Sequence, residues 1–108
     1  MTAKSKKSQE RMAIIGNEGY GLYYGRIIAT DDEIMKAKSV RVYECRHIRY
    51  WYGRSGGITS LAAFGPCGPR VAENRIGAPC PSTLLTEVRA VHECSPEAVR
   101  AFAAIEVK

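Results

Sequence analysis

The chain has 108 residues, 45% hydrophobic and 25% charged, which suits one compact domain and excludes a two-domain enzyme and a collagenous or fully disordered polymer. Sixteen Lys and Arg against eleven Asp and Glu leave a formal charge of +5, compatible with anionic partners but too modest to identify a nucleic-acid binder. The apolar runs fall far short of the roughly 20 residues of a membrane-spanning helix. The N-terminus carries no apolar signal segment, so a reducing cytoplasm and no membrane are expected.

Residues 1–11 hold four bases and one acid and have no periodic apolar positions, so they read as a basic flexible arm ahead of a single domain over 12–108. Met12 to Ile15 reads as a first strand closed by a turn at Gly16-Asn17-Glu18-Gly19. Tyr20 to Ala29, aromatic and β-branched, reads as a second strand in which Gly21 and Gly25 mark a bulge or a close backbone approach. Thr30-Asp31-Asp32-Glu33 either caps a short helical turn over Ile34 to Lys38 or forms a plain acidic connection. Ser39 to Tyr52 alternates in part and reads as one bent strand or two, pairing antiparallel with the second strand.

Gly53 to Gly57 breaks that strand, and Ile58, Leu61 and Ala62 at helical spacing predict a helix over 57–64 ended by Gly65-Pro66. Four prolines make Gly65 to Pro81 mostly irregular, with Arg70 to Ile76 a short edge strand. A long ordered loop of this kind is more often functional than ornamental. Leu84 to Val91 is strand-like. Ser95 as N-cap, Pro96 at the first helical position and Glu97 near the positive end then open a helix over 96–104. The sum is an α+β fold, an antiparallel sheet of about five strands with two short helices.

Four runs in this order carry a resemblance: Ile14 to Gly25 with its Gly19-Tyr20-Gly21-Leu22-Tyr23-Tyr24-Gly25 core, Arg46-His47-Ile48-Arg49-Tyr50-Trp51, Gly57-Ile58-Thr59-Ser60-Leu61-Ala62 ahead of Gly65, and Leu84-Leu85-Thr86-Glu87-Val88. The chain resembles a family of small, functionally uncharacterised proteins encoded by tailed bacteriophages and prophages. The resemblance spans most of residues 14–98, and the basic arm and Gly65-Pro66-Cys67-Gly68-Pro69 depart from it. It implies a small binder of host or viral components and supplies no catalytic residues.

Three constellations carry chemistry. Cys45 with His47, and His92 with Cys94, each share a strand face, so adjacent strands would bring together a Cys₂His₂ zinc site; the competing reading is ordinary buried Cys and half-buried His without metal. Cys67 and Cys80 could replace either pair; the expected reducing compartment disfavours a disulfide, and four cysteines allow three pairings that sequence does not choose between. The Gly-rich turn before the 57–64 helix, with Arg49, Arg54, Ser55, Gly56, Gly57, Thr59 and Ser60, suits a phosphate or nucleotide, or simply permits a tight turn. Residues 36–54 hold six bases and one acid, and seven of the nine aromatics lie between 20 and 52. Arg41, Arg46, Tyr50 and Tyr52 are therefore candidates for a basic, base-stacking surface, or are a solvated face. Nothing marks a catalytic dyad, and Glu87 with Glu93 does not read as an acid pair.

The expected function is that of a non-enzymatic phage-encoded binding protein in the host cytoplasm, engaging a host or viral protein or an anionic ligand such as a nucleotide in a host-directed accessory or anti-defence role. No cofactor is expected, with zinc as the alternative. A thin sheet with small helices leaves apolar surface, so a homo-oligomer is expected. The alternatives are a small virion component whose basic arm orders between subunits, and a weak nucleic-acid binder.

Overall fold

A computed structural model of the chain describes residues 10–19, 21–51 and 57–108. Among these residues the elements run β1 (Arg11–Asn17), β2 (Gly21–Ile27), α1 (Asp31–Ala37), β3 (Ser39–Tyr50), α2 (Ile58–Phe64), a single 3₁₀ turn at Val71–Glu73, β4 (Arg75–Ile76), β5 (Cys80–Thr86), β6 (Val88–Glu93) and α3 (Pro96–Ala104). No described helix is long and apolar enough to cross a membrane.

All strand pairs are antiparallel. Along one edge β3 pairs with β2, which pairs with β1, which pairs with β6; along its other edge β3 pairs with β5 and then β4. Glu87 alone joins β5 to β6, with a left-handed φ of 54°. Two nearly contiguous strands thus pair with β3 and β1, which lie two places apart in the sheet. Only a strongly curled sheet satisfies both pairings. Hydrogen bonds from Asn17 Nδ2 to Thr86 O at 3.1 Å, from Glu18 N to Glu87 O at 3.0 Å and from Val88 N to Lys38 O at 3.0 Å secure the corner.

A β-bulge divides β3. Tyr24 pairs with Arg46 but Arg26 pairs with Tyr43, and Glu44 between them takes a φ of 49°. Val40 and Val42 face the inner side of the curl before the bulge, Cys45 faces it afterwards, and Arg46 and Ile48 turn to the outer side. Gly25 lies opposite. A Cβ there would sit 2.5 Å from Val42 Cγ1 and 2.8 Å from Tyr43 O, so the bulge demands glycine. Arg26 grips the Glu44 carboxylate with two hydrogen bonds of 3.1 Å and covers the Tyr43 ring.

The curl creates two cores. Ala13, Ile15, Ile27, Val40, Val42, Cys45 and Leu85 fill the inner one, closed by Ile34 of α1. Ile14, Tyr24, Ile48 and Ile76 meet Leu61 and Ala62 of α2 and Phe102 of α3 on the outer face. Each large side chain so buried contributes about 1.5–3 kcal/mol. Helix ends follow the sequence: Thr30 and Glu33 form a reciprocal capping box on α1, and the Ser95 side chain caps α3 ahead of Pro96. Gly65 ends α2 at a φ of 76°, where a Cβ would lie 2.6 Å from Ala101 Cβ, so α2 packs tightly on α3 only because the residue is glycine.

The fold is the expected α+β class, with six strands and three helices among the described residues. Gly16 and Asn17 belong to β1 rather than to a turn, and Arg11, assigned above to the arm, pairs with Ile27 and bonds Asp31 at 2.7 Å. Ser39 to Tyr50 is one bent strand, and the acidic segment is helical. The strand expected over 84–91 is instead two strands broken at Glu87. The edge strand expected over 70–76 shrinks to Arg75–Ile76 after the 3₁₀ turn.

Candidate functional site

The curl decides where each candidate residue falls. Cys45 lies in the inner core, while Cys94 packs against the outer one. β1 and β2 lie between β3, which carries Cys45 and His47, and β6, which carries His92. The four zinc candidates are therefore not brought together, and no group of three potential metal ligands forms among the described residues. Burial pushes the Cys45 thiol up and drives the Cys94 thiol to about 12. Both stay protonated near neutrality and are poor nucleophiles.

In the Gly-rich turn, Arg54, Ser55 and Gly56 lie outside the described residues, as does Tyr52. Gly57 precedes α2 with a φ of 104° and makes no side-chain cap. Thr59 is exposed on α2, whereas Ser60 is buried beneath it, so the two hydroxyls do not converge. Arg49 is exposed on β3 and donates from Nη2 to the Lys108 main-chain oxygen at 2.9 Å.

The basic-aromatic set splits as well. Arg46 is only 8% exposed. Its guanidinium donates to Gly77 O at 2.7 Å and Phe102 O at 2.8 Å, and reaches Ile76 O at 3.5 Å. It is a structural cation held by carbonyls, not part of a ligand surface, and burial lowers its pKa from the ordinary value. Arg41 is exposed and donates to Ser82 Oγ at 3.0 Å. Tyr50 is 48% exposed and pairs in register with Arg75 of β4.

One arrangement was not anticipated. His47, exposed on β3, stacks on Tyr23 of β2 with centroids 4.8 Å apart and planes 18° from parallel. The register puts them opposite each other, and Arg49 follows two positions on, at a second register shift of β3 between Ile48 and Tyr50. Gly21 adds no side chain there; a Cβ on it would come within 4.0 Å of His47 Nε2. An exposed imidazole backed by a phenol ring, with a guanidinium two positions on, can stack a flat ring and offer a cation beside it.

The remaining sheet arginines separate into two groups. Arg11, Arg26 and Arg89 form ion pairs with Asp31, Glu44 and Glu18. Among the described residues Arg41, Arg49 and Arg75, all on β3 and β4, form no ion pair with an Asp or Glu side chain, although Arg75 helps to hold the Glu73 carboxyl below its ordinary value.

The family model described as a domain of unknown function (DUF6948) covers residues 10–102, and the chain belongs to that family. No curated protein and no solved structure matches it.

Proposed function

We propose that this member of the DUF6948 family is a non-enzymatic binding protein whose ligand is an anionic molecule carrying a flat ring, of the nucleotide class. The observation that carries this reading is the exposed His47 ring stacked on Tyr23, with the exposed Arg49 two positions along β3. Stacking supplies affinity for the ring, Arg49 binds phosphate oxygens, and Arg41 and Arg75 raise the local potential. The protonated, buried thiols of Cys45 and Cys94 favour binding over nucleophilic turnover. The resemblance to phage-encoded proteins adds the proposal that the ligand or partner is met inside an infected host cell.

The test is titration of the purified chain with ATP, UTP and inorganic phosphate, read by calorimetry. Stacking predicts ATP tighter than UTP, and both tighter than phosphate. Equal affinities for all three would point to charge alone, and no binding of any would overturn the proposal.

Self-association is proposed as well, through β6. Among the described strands β6 pairs only with β1. The Cys94 N to Met12 O bond sets the ladder alternation so that the main-chain groups of Val91 and Glu93 point away from β1. A second copy paired antiparallel about Val91 sets Arg89 opposite Glu93 of its partner, a self-complementary arrangement of charge.

A further inference from the structure

We propose that Cys45 and Cys80 form a modification site: a thiol pair that a low-molecular-weight disulfide converts reversibly into one cross-strand disulfide. Cys45 of β3 lies directly opposite Cys80 of β5 in the ladder. Opposed residues of an antiparallel pair have Cα atoms roughly 4.5–5.5 Å apart, within the 4.4–6.8 Å that a disulfide spans. Directly opposed residues share one face of the ladder. Thr83 Oγ1 is 3.2 Å from Cys80 Sγ, and Thr83 and Cys80 both lie close enough to the Cys45 thiol to bias its ionisation.

The two thiols differ in access, and that difference orders the chemistry. Cys80 is exposed and Cys45 is 4% exposed. Cys80 loses its proton and its thiolate attacks one sulfur of the small disulfide R–S–S–R, forming a Cys80–S–S–R bond and releasing R–S⁻, which takes up a proton. Cys45 then loses its proton and attacks the Cys80 sulfur, forming the Cys45–Cys80 bond and releasing the second R–S⁻, again protonated. Two protein thiols are oxidised and one small disulfide is reduced to two thiols. Burial of Cys45 keeps it inert until Cys80 brings the leaving group to it.

The other cysteines are placed differently. Cys94 packs against the outer core, on the far side of the sheet from Cys45, and Cys67 lies in the loop after α2. Of the pairings the sequence leaves open, the fold favours one. The bond would close a loop from 45 to 80 that carries His47, Arg49, α2 and β4, fastening the candidate ligand site to β5.

The test treats the folded chain with excess oxidised glutathione, followed by peptide mapping, thiol counting and thermal unfolding. The expected product is a chain free of intermolecular disulfides and lacking two titratable thiols, with a Cys45–Cys80 peptide link, a Tm raised by about 10 °C and full reversal by a dithiol. Cys45→Ser should halt at a stable Cys80–glutathione adduct, and Cys80→Ser should leave Cys45 unmodified. A link joining any other pair, a persistent glutathione adduct on the unmutated chain, or no thiol loss would overturn the assignment.

Discussion

Arg46 Nη1 donates to the Phe102 carbonyl at 2.8 Å, so a buried cation on β3 ties the sheet to α3. Three main-chain carbonyls surround its guanidinium, and among the described residues no carboxylate is bonded to it. Fork geometry is what lets one side chain serve Gly77 and Phe102 together. Arg46→Ala should destabilise the fold by about 2–4 kcal/mol, since hydrogen bonds to a charged group contribute roughly 1.5–3 kcal/mol each and some desolvation cost is recovered. Arg46→Lys should rescue little of it. Urea unfolding of the two variants checks both expectations.

The bulge in β3 makes a sharper demand on one glycine than on another. Gly25→Ala drives a methyl into Val42 and the Tyr43 carbonyl, and should cost about 2–3 kcal/mol. Gly16→Ala meets only Leu22 Cδ2 at 3.6 Å, ordinary contact, and should stay within about 1 kcal/mol of the parent. Paired thermal denaturation of the two variants reads the difference.

Stability should fall in alkali. Burial, with Cys94 nearby, raises the Tyr24 phenol to about 12 against the opposing influence of Arg46, and burial, with Glu93 nearby, raises the Cys94 thiol to about 12. For an acid held neutral in the folded state the native protein retains its proton where the unfolded chain has lost it, so stability declines as pH rises. The window opens near 9, the ordinary thiol value, and closes near 12. Cys94→Ala should flatten the lower part of that decline, measured as the unfolding free energy from pH 8 to 11.

An open β6 edge predicts self-association sensitive to the edge itself. Val91→Pro removes an outward N–H from the strand and should shift the chain to monomer in sedimentation, whereas Leu84→Ser, at an exposed side chain on β5, should not. A monomeric parent, or a Val91→Pro variant that associates like the parent, would contradict β6 pairing.

Local chemistry was legible where it is written in one segment. Ser95-Pro96-Glu97 marks the start of α3, and Ile58, Leu61 and Ala62 mark the buried side of α2. The errors cluster where ordinary residues take left-handed backbone: Glu44 bends β3 and Glu87 splits β5 from β6, and neither is the Gly or Asn that signals such a turn. Glu87→Gly should be neutral or stabilising by about 1 kcal/mol. The candidate site was half visible for the same reason. His47 and Arg49 stood in the sequence as chemistry-bearing residues, but the Tyr23–His47 stack depends on the β2–β3 register, which the bulge sets. Arg46 looked like surface charge because nothing local shows that alternation shifts at Glu44 and turns it toward α3.

Whether His47, Tyr23 and Arg49 form a binding platform is read from the ATP affinity of His47→Ala compared with that of the unmutated chain. Stacking on an aromatic platform is worth about 1–3 kcal/mol, so the variant should bind roughly ten-fold or more weakly while its circular dichroism and Tm stay those of the parent. An unchanged affinity in a folded His47→Ala protein would contradict the account.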